Sequence, residues 1–180
     1  MSPLSDALQR CIRTVPDWPA PGVRFRDITP VFADGTLFGH VITELAARYA
    51  QVPKPVVAGI DARGFIVGAA LAHALGAGFV PLRKQGKLPS DTLSEAYVLE
   101  YGEAMLEVHL DAIPPGQPVI LVDDLIATGG TMLAAVALIR RLGGDLQEAV
   151  ALIDLPDLGG STRLAAARVP VHTLTAFPGC

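Results

Sequence analysis

Two adjacent aspartates lead into a run of small residues and threonines that could bind an anion. Residues 119–131 read VILVDDLIATGGT, an apolar strand followed by Asp123, Asp124 and a loop that opens a helix. In such a loop small residues let backbone N–H groups converge on a ligand, hydroxyl groups add donors, and the helix dipole favours negative charge. The pattern predicts a phosphate-binding loop, whose members are Ala127, Thr128, Gly129, Gly130 and Thr131.

The aspartates indicate what accompanies that phosphate. Carboxylates are poor neighbours for a phosphate, but they accept hydrogen bonds from hydroxyl groups a few ångströms away, such as those of a ribose diol. Phosphate and diol together indicate a ribose 5-phosphate moiety. The segment lacks the lysine of a Walker loop and the GxGxxG of dinucleotide binders, which disfavours both of those sites. A plainer alternative is a strand-end turn at Asp123-Asp124 followed by an ordinary helix cap.

Two other charged segments follow predicted strands. Asp61-Ala62-Arg63-Gly64 precedes a helical pattern and could form a second anion-binding loop, although Arg63 could equally be a solvated residue at a helix start. The segment Arg83-Lys84-Gln85-Gly86-Lys87 places three cations within five residues of an acidic chain, and such a run is usually a solvated surface. It leads into residues 88–94, which are polar and poorly periodic, as in a mobile lid.

The apolar pattern predicts the elements that would position these segments. From residue 56 onwards, short apolar runs alternate with helical stretches, which is typical of βαβ units and a parallel sheet covered on both faces. Two further helices are expected earlier in the chain, joined by a proline-rich extended loop. The predicted strands are 56–60, 79–82, 119–122 and 149–153, and the predicted helices are 4–15, 37–49, 65–75 and 131–142.

A hairpin is predicted between the second and third of these strands. Its arms are 97–101 and 104–110, and Gly102-Glu103 offers a tight turn. The second arm alternates as a half-exposed strand does. Leu106, Val108 and Leu110 form one face, and Met105, Glu107 and His109 form the other.

Composition excludes several classes of protein. A chain of 180 residues that is 51% hydrophobic and 18% charged fits one folded domain rather than a disordered chain. No apolar run approaches the roughly 20 residues of a membrane-spanning helix. A net charge of −4 gives no general basic face for a nucleic acid. Two distant cysteines, four scattered histidines and no secretory start predict a cytoplasmic protein without a metal site of its own.

The segment VILVDDLIATGGT resembles the phosphoribosyl pyrophosphate (PRPP) signature of type I phosphoribosyltransferases. Further stretches narrow the resemblance to the adenine phosphoribosyltransferases, and together they cover most of the chain in the family's order. They are PDWPAPGVRFRDITPVF at 16–32, AGIDARGFIVGAALAHALG at 58–76, VPLRKQGKLP at 80–89 and LEYG at 99–102.

The resemblance implies a fold and a domain plan. The fold is α/β, a mostly parallel twisted sheet with helices on both faces, in a single phosphoribosyltransferase domain over residues 1–180. A small N-terminal hood is expected over 1–35, a flexible hairpin lid over about 84–108, and the PRPP loop over 123–131. The implied assembly is a homodimer, and the apolar residues beyond Pro170 look exposed enough to be consistent with one.

The resemblance also implies the reaction: adenine and PRPP give AMP and pyrophosphate, a step of purine salvage, with Mg²⁺ bound mainly through PRPP and pyrophosphate. It assigns the ribose hydroxyls to Asp123 and Asp124 and the 5′-phosphate to residues 127–131. It assigns pyrophosphate to five residues of the other two charged segments, Ala62, Arg63, Arg83, Lys84 and Lys87. Gln85 stands where the family usually has a further basic residue.

For the base, the resemblance implies main-chain contacts at Arg24 and Arg26, with Phe25 flanking the ring and Leu125 lining the other side. An isolated Phe would otherwise be assigned to core packing. Glu100 is implied as the acid-base group that exchanges a proton with the purine, where without the family it would be one exposed strand Glu among many. The implied catalytic set is Glu100, Arg63, Lys87 and Tyr101.

Two other functions remain open. One is a phosphoribosyltransferase for hypoxanthine, guanine or xanthine, which would share the PRPP loop and differ in the base pocket. The other is a non-catalytic PRPP-sensing regulator, which would be expected to carry a DNA-binding segment and a basic face. The N-terminal position of the base pocket favours adenine, and the acidic charge disfavours the regulator.

Overall fold

A computed structural model describes residues 2–99 and 102–178 of the chain. The helices are α1 Pro3–Cys11, α2 Thr29–Ala33, α3 Gly35–Tyr49, α4 Arg63–Leu75, α5 Gly130–Arg141 and α6 Gly160–Ala166, with a short 3-10 helix at Pro156–Leu158. The strands are β1 Arg13–Pro16, β2 Arg24–Asp27, β3 Val56–Ile60, β4 Gly78–Lys84, β5 Thr92–Leu99, β6 Gly102–His109, β7 Pro118–Ile126, β8 Asp145–Asp154 and β9 Val171–Ala176.

Seven strands form one mostly parallel sheet in the order β5-β6-β4-β3-β7-β8-β9. The neighbouring pairs β4-β3, β3-β7, β7-β8 and β8-β9 are parallel. Strands β5 and β6 pair antiparallel, and β6 pairs antiparallel with the edge of β4. The predicted α/β class and the alternation of strands with helices are therefore confirmed.

The central strands supply apolar side chains to both faces of the sheet. Along β7, Val119 and Leu121 belong to one buried cluster and Ile120 and Val122 to the other, as the two-residue period of a strand requires. Helix α5 covers the first cluster with residues such as Leu138. Helices α1 to α4 cover the second, which explains why β3 and β7 are almost wholly buried.

The N-terminal segment contains a separate two-stranded sheet of β1 and β2. Where one helix was predicted over 4–15, the chain forms helix α1 and then strand β1. Helix α1 ends at Cys11, and Val15 lies in β1 opposite Phe25 of β2. The prediction was wrong beyond Cys11 because Pro16 disfavours helical backbone at the residue before it. The strand pairing with β2 takes over from there.

The hairpin is present, but two of its predicted details are wrong. Gly102 pairs with Leu99 and Glu103 with Val98, so both lie in β6 and not in a turn. The predicted exposed residue Glu107 is only 4% exposed, and the predicted inward residue Leu110 is 52% exposed. Leu110 follows the end of β6, and the chain at residues 87–88 covers the face on which Glu107 lies.

The apolar residues beyond Pro170 form β9, the edge strand of the sheet beside β8. Leu174 is buried in the second cluster and Thr175 is buried as well. Val171 and Phe177 are half-buried and Ala176 is exposed, so only part of the apolar surface expected beyond Pro170 is present, and a homodimer stays a prediction. Over the described ranges, no helix combines the length and apolarity needed to cross a membrane.

Candidate active site

The candidate site lies at the carboxyl ends of β3 and β7, where the direction of winding of the sheet changes. From β3 the chain passes through α4 to β4 on one side, and from β7 it passes through α5 to β8 on the other. Ligands of open α/β sheets bind in the crevice at such a switch point. A cavity of about 380 Å³ occupies this place.

The helices that open at this crevice, α4 and α5, have no side-chain cap among the described residues. Of the other helices, α1 and α3 are capped by side-chain oxygens of Ser2 and Asp34, whereas α2 and α6 also lack a side-chain cap but supply no residue to the cavity lining. The first-turn N–H groups of a helix need acceptors from a side chain, water or a ligand. At α4 and α5 they point towards a cavity, which is where an anion would satisfy them.

The acid pair lies inside a strand and not after it. Strand β7 was predicted to end at Val122, but it continues to Ile126, with Asp123 opposite Ala151 and Leu125 opposite Ile153 in β8. The strand extends because β8 is itself long enough to pair with these residues. Asp123 and Asp124 are consequently held on a fixed backbone at the floor of the crevice.

The loop after β7 turns sharply into α5 and is held in place by contacts with α6. Gly129, the residue before α5, has φ +79°, which glycine adopts without steric cost. Gly160, the first residue of α6, packs against this loop. Its N–H donates to the Ala127 carbonyl at 3.0 Å, and a Cβ at Gly160 would lie 2.2 Å from that carbonyl oxygen. Arg163 Nη1 donates to the Thr128 carbonyl at 3.0 Å. Two residues from another part of the chain thus fix the shape of the loop.

The electrostatics of the acid pair follow from burial. Asp124 is 5% exposed, and its Oδ2 lies 2.9 Å from Nε of Arg63. Burial raises the pKa of Asp123 well above its ordinary range, and the neighbouring Asp124 charge raises it further. Burial also raises the pKa of Asp124, an effect that Arg63 opposes. One acid is therefore paired with a cation, whereas the other is held in a site that favours its protonated form.

The second predicted loop, residues 61–64, is linked to the basic segment 83–87. Arg83 Nε lies 3.3 Å from Oδ2 of Asp61, and Arg83 Nη1 donates to the Lys87 carbonyl at 3.1 Å. The peptide bond between Asp61 and Ala62 is cis. The structure thus brings two segments that are separate in sequence to one side of the crevice.

The N-terminal sheet meets the crevice through Phe25. The Phe25 ring has Trp18 at 4.4 Å in a T-shaped arrangement, and Arg63 Cζ lies 5.2 Å from its centre. The Arg26 side chain is buried outside the cavity lining, where it donates to Thr14 and to the Pro178 carbonyl at 3.1 Å. Arg24 is exposed.

The predicted site residues divide into four groups. Those that line the cavity are Ala62, Arg63, Lys84, Asp123, Asp124, Leu125, Ala127, Thr128, Gly129, Gly130 and Thr131. Phe25, Arg83 and Lys87 do not line it but are connected to its edge through Arg63 and Asp61. Arg24 and Arg26 belong to the N-terminal sheet. Glu100 and Tyr101 lie outside the described residues.

Sequence reasoning missed four residues around the site. Tyr97 lines the cavity, Glu107 bonds to the basic segment, and Gly160 and Arg163 support the loop after β7. The pair Gly159-Gly160 after a predicted strand was a usable signal for close backbone approach. Nothing in the sequence around Glu107 distinguishes it from an ordinary exposed strand glutamate.

Comparison with known proteins gives a consistent family. The family model "Phosphoribosyl transferase domain" matches residues 32–163. An adenine phosphoribosyltransferase of Marinobacter nauticus is 56% identical over 179 residues, 99% of each chain.

Two solved structures agree with this. The adenine phosphoribosyltransferase of Rhodothermus marinus has a TM-score of 0.90 and 48% identity, covering 97% of this chain and 98% of that one. The enzyme of Saccharomyces cerevisiae, solved with D-2,5-dideoxy-2,5-imino-altritol 1,6-bisphosphate and adenine, has a TM-score of 0.90 and 37% identity, covering 97% and 99%. With its acid pair, its glycine-rich loop and these relatives matched along nearly their whole length, the chain belongs to the adenine phosphoribosyltransferase family.

Proposed function

We propose that this protein transfers the 5-phosphoribosyl group from PRPP to adenine, giving AMP and pyrophosphate, as a step of purine salvage. The observation that carries the proposal is the pair of uncapped helix starts, α4 and α5, which face one crevice with Asp123 and Asp124 on its floor. Two anion sites flanking two carboxylates match a ligand with a ribose diol between two phosphate groups.

In this proposal the 5′-phosphate binds at residues 127–131. The backbone N–H groups of the first turn of α5 donate to its oxygens, and the hydroxyl groups of Thr128 and Thr131 add donors. Asp123 and Asp124 accept hydrogen bonds from the ribose hydroxyl groups. The negative charge that Arg63 favours on Asp124 also stabilises the oxocarbenium-like ribose that forms as the bond to pyrophosphate breaks ahead of attack by the base.

Pyrophosphate binds at the other side of the crevice in this proposal. The loop at Ala62 and Arg63 opens α4, and Arg83, Lys84 and Lys87 add positive charge from the basic segment. The link from Lys87 through Arg83 to Asp61 supports this assignment, because it joins the two segments before any ligand is bound. Fixed cations stabilise the charge that develops on the leaving pyrophosphate.

Magnesium enters with PRPP in this proposal, as part of the substrate. Mg²⁺ prefers phosphate oxygens and water, usually with only one or two carboxylates. In the described ranges no three His, Cys, Asp or Glu side chains are grouped as a metal site, and Asp61 and Asp124 already pair with arginines. These protein groups fit an Mg²⁺ ion that is held mainly by the diphosphate of PRPP. The ion would neutralise part of the charge of that diphosphate.

Adenine binds between the N-terminal sheet and β7 in this proposal. Phe25 flanks the ring and Leu125 lines the opposite side, where it is also part of the cavity wall. Because the Arg26 side chain donates to Thr14 and Pro178, the adenine contact proposed at Arg26 is made by its backbone. Among the residues that the structure describes, strand β2 pairs with β1 alone, which leaves the other side of its backbone for a base.

Glu100 and Tyr101 complete the proposed catalytic set on the strength of the LEYG motif. Glu100 accepts the proton that adenine loses as its bond to the ribose forms. Tyr101 and Lys87 act when the segment 84–108 closes as a lid, which excludes water and protects PRPP from hydrolysis. A homodimeric state and a cytoplasmic location stay predictions from the sequence and the family resemblance.

The experiment that tests the function measures product formation with PRPP, Mg²⁺ and one base at a time: adenine, hypoxanthine, guanine or xanthine. The expected result is AMP from adenine and negligible product from the other three. Turnover with another base would retain the PRPP site and contradict the adenine pocket. PRPP binding without turnover would contradict the assignment as an enzyme.

A further inference from the structure

Glu107 is a buried carboxylate for which the proposed reaction gives no direct use. It lies on β6 and is 4% exposed. Its Oε1 accepts two backbone hydrogen bonds, from the N–H of Lys87 and from the N–H of Leu88, both at 2.9 Å. Burying a charge costs folding free energy unless the charge is paired or hydrogen-bonded. A buried carboxylate at this position therefore suggests a specific role.

The backbone at this place needs such an acceptor. Strand β4 pairs with β6 at Arg83 and Lys84, and the Gln85 N–H still donates to the Met105 carbonyl at 3.0 Å. At Gly86, with φ +79°, the chain leaves the strand direction. Beyond that turn the ladder no longer supplies carbonyl acceptors, and the Glu107 carboxylate takes the next two N–H groups instead.

The peptide segment at Lys87 is thereby held from both sides. Its N–H is bonded to Glu107, and its carbonyl accepts a hydrogen bond from Arg83 Nη1 at 3.1 Å. Arg83 in turn reaches Asp61, the residue before the cis peptide at the start of the second anion loop. A continuous chain of contacts therefore runs from the buried Glu107 to the loop proposed to bind pyrophosphate.

Glu107 is held in the charged form. Burial raises the pKa of its carboxyl group, but the backbone N–H groups around it, those of Gly86, Leu88 and Lys87, outweigh that effect and leave the pKa below the ordinary value. Charge-assisted hydrogen bonds of this kind are stronger than neutral ones. The negative charge lies beneath the backbone of the basic segment, while the Lys87 side chain itself is exposed.

We propose that Glu107 is a positioning residue for phosphoribosyl transfer, which fixes the backbone of Lys87 and thereby aims Lys87 and Arg83 at the pyrophosphate group. This inference rests on the proposed function of the basic segment. It does not require Glu107 to touch either substrate.

The kinetic test compares Glu107→Ala with Glu107→Gln. Alanine removes the acceptor, whereas glutamine keeps an oxygen that can accept both N–H groups. We expect Glu107→Ala to raise the KM for PRPP, and for pyrophosphate in the reverse reaction, about tenfold, with the KM for adenine within about twofold of wild type. Glu107→Gln should recover most of this loss.

A matched control is Glu44→Gln on α3. Glu44 is exposed, and α3 supplies no residue to the cavity lining or to the segment 84–108. This variant makes the same change of charge and should leave both KM values unchanged. An equal rise in the KM for both substrates in Glu107→Ala, with a lowered Tm, would indicate a general folding defect and overturn the positioning role.

A second measurement does not depend on activity, and its wild-type part does not depend on how the variants fold. Amide hydrogen exchange followed by NMR should show slow exchange at Lys87 and Leu88, and the rates should rise at least about tenfold in Glu107→Ala. Wild-type exchange at the rate of an unprotected loop would overturn the contact. AMP formation with an unchanged KM for PRPP in Glu107→Ala would overturn the role and leave the proposed function intact. No product from the wild type with any base would overturn both.

Discussion

Arg63 Nε lies 2.9 Å from Oδ2 of Asp124, so the first residue of α4 neutralises a buried acid at the floor of the crevice. The same guanidinium lies over the Phe25 ring. One cation thus contacts parts of the proposed ribose and adenine sites while it belongs to the proposed pyrophosphate loop. We expect the oxygens of bound pyrophosphate to compete with Asp124 for this cation.

Replacing Arg63 by alanine should therefore affect PRPP more than adenine. Loss of a charge-assisted contact to pyrophosphate should lower kcat/KM for PRPP by about a hundredfold, and the pKa of Asp124 should rise because the opposing positive charge is gone. Steady-state kinetics in both substrates measure this. Arg13→Ala is a suitable control, because the Arg13 side chain is 63% exposed and its pair with Asp27 at 3.1 Å should contribute little. Unchanged kinetics for PRPP in Arg63→Ala would contradict the pyrophosphate assignment.

Asp123→Asn should stabilise the fold while it weakens PRPP binding. Burial raises the pKa of Asp123 in the folded state, so the folded protein binds this proton more tightly than the unfolded chain does. The free energy of unfolding therefore falls as the pH rises from about 4 through the raised pKa, and asparagine removes that loss. The Tm difference between variant and wild type should grow with pH over this window.

Thermal unfolding between pH 5 and pH 8 tests the prediction, together with calorimetric titration of PRPP. Asp111→Asn, at an exposed position, should change neither quantity. A lower Tm for Asp123→Asn across the whole pH range would show that the carboxylate is stabilising instead.

Gly160→Ala should deform the loop proposed to bind the 5′-phosphate. A Cβ there would lie 2.2 Å from the Ala127 carbonyl oxygen and 2.8 Å from the Gly129 nitrogen, and both are backbone atoms that cannot rotate away. We expect a loss of about 1–3 kcal/mol in the free energy of unfolding from overpacking, and weaker PRPP binding than that loss alone would give. Urea unfolding and PRPP titration measure the two effects. Gly39→Ala on α3 has open space around its Cβ and should be tolerated.

Glu100→Ala should lower kcat by two orders of magnitude or so, while the Kd for PRPP stays within about threefold of wild type. The reason is that proton transfer from adenine belongs to the chemical step and not to PRPP binding. Single-turnover kinetics and equilibrium titration separate the two quantities. An equal loss in both would mean that Glu100 has a structural role in the hairpin.

The sequence by itself determined the fold class and most of the proposed site. Apolar runs alternating with helical stripes required a parallel sheet, because strands buried on both faces have no polar alternation. The acids and small residues of VILVDDLIATGGT indicated phosphate and ribose through their types and order alone, since those residue types suit few other ligands. Family resemblance then assigned the base and pyrophosphate residues. The fold class is confirmed, whereas the site assignments stay predictions, and both could be made because they depend on contiguous residues.

Only the tertiary structure decided which distant residues meet. Whether Glu107 is buried depends on the chain at residues 87–88 folding back over β6, and a two-residue period cannot encode that contact. Val15 left the helical pattern because a strand partner, Phe25, was available ten residues later. The support of the loop by Gly160 and Arg163 depends on where α6 packs. Local sequence sets what each segment prefers, but long-range packing chooses among those preferences, because burial and hydrogen bonding are completed only in the folded chain.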